Sequence, residues 1–427
     1  MARMRLSPAL KQATPIVAIA GNGTRILDED GVSYLDLTSG IGVTSTGHCH
    51  PRVVAAAQRQ TAELIHGQYG IVRHRPLLDL LESLGTVMPS HLGSAFFANS
   101  GSEAVEAAIR LARNATGRQN VIAFQGSFHG RTLAASALTT SGARFRREGS
   151  GGLPPGMLVA PFPNPSHYGW DEQTCNAFAL RELDHILVTL TDPSDVAAFI
   201  VEPVQGESGF QPANTVFFQG LQERARAHGI ALIIDEVQAG VGRTGRFWAH
   251  EHFDAEPDII VFAKGIASGF PLSGIAARDN LMDRALPGSQ GGTFSANAVA
   301  CAAAVATIDV IRDEKLVENA AERGAQLRAG LECVAASHPG RIHDVRGIGL
   351  MQATEFRDAD GRPDAEAARA VLAAAFQRRV IALPCGPYAN IVRMIPALTI
   401  DAGEVDDAIE IWSAAVDHVF GAGARNG

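Results

Sequence analysis

Ile230-Ala-Leu-Ile-Ile-Asp235-Glu236 and Ile259-Ile-Val-Phe-Ala-Lys264-Gly265 are two short, almost wholly apolar runs that stop abruptly on charged residues. Runs of this length, rich in β-branched and aromatic side chains, predict strands covered on both faces, as in a parallel sheet. Three more runs precede them, Ala95 to Phe97, Val121 to Phe124 and Ala198 to Val201. From about residue 95 to residue 265 the theme repeats: an apolar run, a polar stop, then helical periodicity. That alternation predicts an α/β fold with a mostly parallel central sheet and helices on its faces. Ligands of open α/β sheets bind beyond the carboxyl ends of the strands. The stops therefore gather Ser100-Gly101-Ser102, Phe128-His129, Glu202, Asp235 and Lys264 around one crevice.

Outward from this block the pattern changes. Ala298 to Ile308 and the amphipathic stretch from about Lys315 to Ala336 predict helices leaving the sheet. Strand-like Asp344 to Phe356, helical Ala365 to Arg379, strand-like Ile391 to Ile400 and helical Glu404 to Phe420 predict a smaller α+β unit. Arg25 to Leu27 and Tyr34 to Leu37 are strand-like but predict no sheet of their own, and are expected to join that unit. The Gly- and Pro-rich 150s and 160s predict one long loop.

The chain has 427 residues, enough for two or three domains and a sizeable core. Its 36 Lys and Arg stand against 45 Asp and Glu, with no long run of either sign, so nothing marks a nucleic-acid or anionic-membrane surface and a small-molecule substrate is expected. Cys49, Cys175, Cys301, Cys333 and Cys385 are odd in number and scattered, which argues against a disulfide framework. The N-terminus has Arg3, Arg5 and Lys11 without an apolar block between them, and the alanine-rich 298–308 stretch is too short to span a bilayer. A cytoplasmic protein is expected. His48-Cys49-His50 invites a metal reading, but neighbours in one short stretch seldom face a single ion and no second ligand pair follows, so no metal is expected.

Asn99-Ser100-Gly101-Ser102-Glu103 opens a helix whose Val105, Ala108, Ile109 and Ala112 share one face. Ser102 is read as its cap, with free N–H groups turned to the crevice to hold an anion; an ordinary N-cap is the competing reading. Lys264 at the mouth of an apolar sheet loses solvation, which lowers its pKa and makes a free amine, hence an imine, accessible near neutral pH. Asp235 at a neighbouring strand end can keep a pyridine nitrogen protonated. Anion site, amine and carboxylate together are what pyridoxal phosphate requires of a protein; a structural Lys264–Asp235 ion pair is the alternative. Gly240-Val-Gly242-Arg-Thr-Gly245 matches the dinucleotide fingerprint, yet Asp235 to Ala239 separate it from its strand and no clear helix start follows, so a nicotinamide cofactor is not expected.

With these residues in view the chain resembles the class III pyridoxal-phosphate aminotransferases, and among them the 4-aminobutyrate transaminases. The likeness runs from Asp28-Glu-Asp-Gly through Ser39-Gly-Ile-Gly-Val-Thr-Ser-Thr-Gly-His to Asn390-Ile-Val-Arg-Met-Ile-Pro. Its most specific block is Leu232-Ile-Ile-Asp-Glu-Val-Gln-Ala-Gly-Val-Gly-Arg-Thr-Gly-Arg-Phe, followed by Phe262-Ala-Lys-Gly. The resemblance implies PLP fold type I, with a large cofactor-binding domain (58–315) and a smaller α+β domain built from both chain ends (1–57 and 316–427). It implies that Lys264 forms the imine with the cofactor and Asp235 meets the pyridinium nitrogen. Gln238 would contact the ring hydroxyl, Phe128 and Val237 cover the two ring faces, and Gly101 and Ser102 hold the phosphate. His129 and Glu202 complete the cofactor-binding set, and Thr293 would reach the phosphate of a neighbouring subunit in a homodimer with shared sites.

The implied reaction is a ping-pong transfer of an amino group from an ω-amino acid, 4-aminobutyrate first, to 2-oxoglutarate. Ile41, Arg131, Glu207 and Arg393 match the family's substrate positions. Arg393 would take an α-carboxylate and Arg131 a distal one. A buried arginine without its carboxylate costs about 3–5 kcal/mol, so Glu207 would swing in to pair with Arg393 when an ω-amino acid binds. A permanent Glu207–Arg393 bridge is the competing reading. Ser208 and Ser295-Ala-Asn-Ala298 depart from the family's usual glycines and proline, and Phe128 lacks a hydroxyl often found there. Acetylornithine or another ω-amino acid or diamine is the alternative donor; an amino-acid racemase or epimerase on the same scaffold is the alternative reaction.

Overall fold

The computed structural model describes residues 4–146 and 152–421. Its centre is a seven-stranded sheet in the order Ser94–Ala98, Ser273–Ala277, Ile259–Phe262, Ala231–Asp235, Val196–Val201, Asn120–Phe124, Met157–Ala160. Ser273–Ala277 runs antiparallel to both its neighbours; the pairings from Ile259–Phe262 to Met157–Ala160 are all parallel. The apolar runs are buried throughout because alternate side chains feed opposite faces. Leu232 and Ile234 pack with Phe199, Phe217 and Leu183 under the helices Glu172–Thr189 and Thr215–His228. Ile233 packs on the other face with Ile200, Val105 and Ala108 of the helix Gly101–Thr116.

Two of the seven strands lie where the sequence predicts none. Met157–Ala160 falls within the expected loop of the 150s and 160s; it is a sheet-edge strand, only partly buried, following a Gly/Pro-rich stretch. Ser273-Gly-Ile-Ala-Ala277 has one bulky residue, Ile275, too few to announce a strand, because its place is tight at Gly274. A Cβ on Gly274 would stand 2.6 Å from the Phe96 carbonyl oxygen and 2.7 Å from the Phe262 ring.

Beyond Thr293 the expected helices form as Ala298–Asp313 and Leu316–Ser337, separated at Lys315, whose φ of +53° turns the chain between them. The 344–356 stretch is a hairpin, Ile342–Ile348 with Met351–Phe356, extended antiparallel by Ile391–Met394 and Leu383–Cys385. Ile391–Met394 is shorter than predicted because Pro396 has no N–H to continue the ladder. Helices Ala365–Gln377 and Ala402–Phe420 cover this sheet, burying Val371, Val405 and Trp412. Near the N-terminus, Ala18–Asn22, Arg25–Asp28 and Ser33–Asp36 form an antiparallel meander, a sheet of their own rather than the recruited strands expected. Val380–Ile381 joins it in parallel beside Ser33–Asp36.

The glycine-rich 240–245 segment opens no α-helix; only a 3₁₀ turn, Ala249–Phe253, follows. Gly245 sits at φ +83°, where a Cβ would meet Ala321 at 2.8 Å, so this glycine serves contact with the long 316–337 helix. His48 bonds Asp36 and His50 bonds Glu314, and among the described residues no group of three or more His, Cys, Asp or Glu is arranged to hold a metal ion. The five cysteines are unbridged. Among the described residues no helix is long and apolar enough to cross a membrane.

Candidate active site

The carboxyl ends of the parallel strands open on a cavity of about 300 Å³. Asp235 ends its own strand, Glu202 follows Val201, Phe128 and His129 lie beyond Phe124, and Lys264 stands two residues after Phe262. All five line the cavity together with Gly101, Ser102, Glu207, Val237 and Gln238. Residues scattered over more than 160 positions thus meet at one place because parallel strands deliver their polar stops to the same edge.

The floor is a buried polar network. His129 Nδ1 donates to Asp235 Oδ2 at 2.8 Å, the carboxylate being able only to accept, and the Val237 N–H donates to Oδ1 at 3.0 Å. Asp235 is therefore oriented from two sides and does not form an ion pair with Lys264. Glu202 is 5 % exposed; its Oε1 accepts from the Phe128 N–H at 2.7 Å and its Oε2 from the Gly206 N–H at 3.0 Å. One carboxyl thus ties together two loops that wall the cavity. Burial pushes this carboxyl up to about 7, with His129 drawing it down and Asp235 raising it further.

Lys264 is half-buried, its backbone at φ +44°, a left-handed conformation that β-carbon residues rarely hold. Burial pushes its amine down to about 8; Glu207 opposes that, Arg393 adds to it, and Asp235 and Glu202 oppose it. The segment that carries it is clamped by the N-terminal stretch: Ser268 Oγ lies 2.7 Å from Thr46 Oγ1 and accepts from the Thr46 N–H at 3.0 Å.

At the other end of the cavity begins the Gly101–Thr116 helix. Its cap is Ser100 rather than Ser102: Ser100 Oγ accepts from the Glu103 N–H while the Glu103 carboxylate accepts from the Ser100 N–H. Ser102, one turn position inside, has its hydroxyl at the cavity wall, accepting from the Arg131 N–H at 3.1 Å. With Ser100 as cap, the helix end still faces the cavity with its positive dipole intact.

These walls can accept a flat heteroaromatic ring carrying a phosphate. A Cβ on Gly101 would stand 3.0 Å from Val237, and one on Gly206 would stand 1.9 Å from Gln238 Oε1, so both glycines keep the space narrow without filling it. Among the described residues Gln238 Oε1 and His129 Nε2 are buried without a hydrogen-bond partner, an unusual cost that a bound polar group would remove.

Arg393, Arg131, Ile41 and Thr293 lie outside the cavity lining. Glu207 lines the cavity and is ion-paired with Arg393 behind it; Arg393 is 4 % exposed. Arg131 is exposed, its guanidinium 5.9 Å from the Phe128 ring centroid and 5.4 Å from that of Phe145. Ile41 is exposed at φ +69°, while Val43, two residues on, is the one that reaches the cavity. Thr293 is exposed and stands outside the cavity lining. Sequence reasoning missed the far wall, Gly269-Phe270-Pro271-Leu272, whose signal was its position directly after the Lys264 turn.

The class-III aminotransferase family model matches residues 7–416. The chain is 40 % identical to the 4-aminobutyrate aminotransferase of Escherichia coli over 95 % of its own length and 94 % of that protein's. It is 38 % identical to the 5-aminovalerate aminotransferase of Pseudomonas aeruginosa, covering 96 % and 95 % of the two chains. The crystal structure of an omega transaminase from Pseudomonas jessenii in complex with PMP superposes with a TM-score of 0.91, at 26 % identity, over 99 % of this chain and 98 % of that one. The crevice at the strand ends, the seven-stranded sheet above it and the likeness over nearly the whole length lead to one assignment: this chain belongs to the class-III aminotransferases, pyridoxal-phosphate-dependent enzymes of fold type I.

Proposed function

We propose that this enzyme transfers the amino group of an ω-amino acid, 4-aminobutyrate in the first place, to 2-oxoglutarate in a ping-pong cycle. The observation that carries the reading is the Glu207–Arg393 ion pair beside Lys264. An arginine reserved for an α-carboxylate needs a substitute partner only if some substrates lack that group, and 4-aminobutyrate lacks it while glutamate and 2-oxoglutarate bring it. Arg131, held over Phe128 and Phe145 at the rim, is the candidate for the distal carboxylate, and Ile41 is the fourth substrate position in this reading.

When bound, pyridoxal phosphate supplies a carbonyl that condenses with amines and a ring that draws off the electron pair left when a substrate C–H bond breaks. Gly101 and Ser102 would hold its phosphate through N–H groups and the Ser102 hydroxyl at the helix end. Phe128 and Val237 would cover the ring and Gln238 would meet its hydroxyl. Asp235, fixed by His129, would keep the ring nitrogen protonated. Lys264 Nζ, lowered by burial to about 8, would be the base that carries the proton between the substrate carbon and the cofactor. Glu202 holds the Phe128 and Gly206 backbones around this arrangement.

The reading further includes a homodimer in which Thr293 of the partner subunit completes the phosphate site, a division into 58–315 and a unit made of 1–57 with 316–427, and a cytoplasmic location. The test is a donor panel with 2-oxoglutarate and product identification, comparing 4-aminobutyrate, 5-aminovalerate, acetylornithine and single enantiomers of alanine. Preference for 4-aminobutyrate, with glutamate and the matching semialdehyde as products, is expected. Preference for acetylornithine, or scrambled chirality without any oxo acid, refutes it.

A further inference from the structure

Arg346 lies on the sheet that carries Arg393 and touches nothing in the cavity. The cross-strand register sets Arg346 opposite Ala353, and Ala353 opposite Arg393. Residues directly opposite in antiparallel strands share a face, so the two arginines stand in one row, two strand spacings apart, with only a methyl group between them. On that face lies the loop 206–210. Arg393 pairs with the side chain of Glu207; Arg346 Nε donates to the carbonyl oxygen of Gly209, two residues on, at 2.8 Å.

Arg346 is itself fixed. It is 7 % exposed, and its Nη1 donates to Glu355 Oε2 at 2.7 Å and to Asp344 Oδ2 at 2.8 Å. Glu355, 5 % exposed, is held in turn by Ser166 Oγ at 2.9 Å and Arg357 Nε at 2.9 Å. A buried charge bonded through both Nε and Nη1 is a rigid post. The loop is shaped to it: Gly209 has φ +96°, and a Cβ there would stand 2.5 Å from Ile391 Cδ1 and 2.8 Å from Arg346 Nη2. The Gly386 N–H anchors the Glu207 carbonyl oxygen at 2.9 Å, and Glu202 anchors the Gly206 N–H. With the backbone held on both sides of Glu207, only its side chain is free to move.

We propose that Arg346 is the positioning residue of the Glu207 switch: it holds the loop so that the Glu207 carboxylate returns to Arg393 whenever a substrate brings no α-carboxylate. This rests on the Glu207–Arg393 reading above and extends it to a residue that contacts neither substrate nor cofactor. Loss of the post leaves Glu207 present but poorly aimed. Donors that need the switch closed suffer, and glutamate, which opens it, does not.

The test compares kcat/KM for 4-aminobutyrate and L-glutamate in the holoenzyme and in the Glu207→Gln, Arg346→Met, Arg346→Lys and Gly209→Ala variants and the Glu207→Gln/Arg346→Met double variant. Arg346→Met is expected to lower kcat/KM for 4-aminobutyrate by about ten-fold, the order expected for one hydrogen bond to a charged donor, and to change that for glutamate by less than about two-fold. Arg346→Lys keeps the charge beside Glu355 but loses the fixed Nε–H, and Gly209→Ala displaces the contact from the other side; both shift selectivity the same way. They carry the decision if Arg346→Met does not fold. The double variant is expected to match Glu207→Gln alone, because both act on one element. If Glu207→Gln lowers both donors alike, the switch itself fails and the proposal with it. If Glu207→Gln is selective while the Arg346 and Gly209 variants lower both donors equally, lower neither, or add to Glu207→Gln, the switch stands and the role of Arg346 is overturned.

Discussion

The amine of Lys264 gives the sharpest quantitative expectation. Only a neutral amine attacks a carbonyl, so capture of pyridoxal phosphate by the apoenzyme should follow the unprotonated fraction. Burial lowers the amine from 10.5 to about 8. At pH 7 about a tenth of it is then neutral, against about 0.03 % for an unshifted lysine, a difference of roughly 300-fold in capture rate. The initial rate at which visible absorbance develops after mixing, followed by stopped flow from pH 6 to 10, should climb about ten-fold per unit and level off above pH 8. The neighbours fix the direction of further shifts. Glu207 is the largest influence holding the amine protonated and Arg393 opposes it. Glu207→Gln removes the first and leaves the second unpaired, so the midpoint must fall below that of the parent enzyme; Arg393→Met must raise it. A parent midpoint near 10.5, or an upward shift in Glu207→Gln, refutes the burial argument.

Three further outcomes are expected. Asp235→Asn keeps a side-chain oxygen to accept from the His129 Nδ1–H but removes the charge that would keep the ring nitrogen protonated, and steady-state turnover should fall by roughly 10²–10³-fold. Glu202 has its carboxyl raised from 4.5 to about 7 in the folded state, so its contribution to stability is greatest below pH 4.5 and is lost as pH rises through 7. Melting temperatures measured from pH 5 to 8 should therefore show Glu202→Gln losing less relative to the parent enzyme at pH 8 than at pH 5. Gly206→Ala drives a Cβ to within 1.9 Å of Gln238 Oε1, and equilibrium titration of the apoenzyme with pyridoxal phosphate should show weaker binding with the fold unchanged by circular dichroism.

What could be read from the sequence follows from side-chain chemistry. Ile259–Phe262 and Ala231–Asp235 announced themselves because strands covered on both faces are apolar at every position. Ser273–Ala277 gave no such signal, since the close approach of Phe96 and Phe262 requires glycine at 274 and leaves Ile275 as the one bulky residue of the strand. The floor of the site was legible as a set of polar stops, but its wiring was not: that His129 orients Asp235 and that Glu202 joins two loops depends on distances no spacing encodes. The apolar periodicity points to Ser102 as the cap, whereas the capping box with Glu103 selects Ser100. The Glu207–Arg393 pairing, separated by 186 positions, came from family likeness alone. No local pattern joins residues so far apart.

The strand Val380–Ile381 has a consequence for how the chain is made. The Leu35 N–H donates to the Arg379 carbonyl and the Leu37 N–H to that of Ile381. During synthesis the Ser33–Asp36 edge must therefore wait, unpaired, until most of the polypeptide has left the ribosome. An open strand edge of this kind invites pairing with another nascent chain, and chaperone binding near residues 33–37 would protect it through that interval.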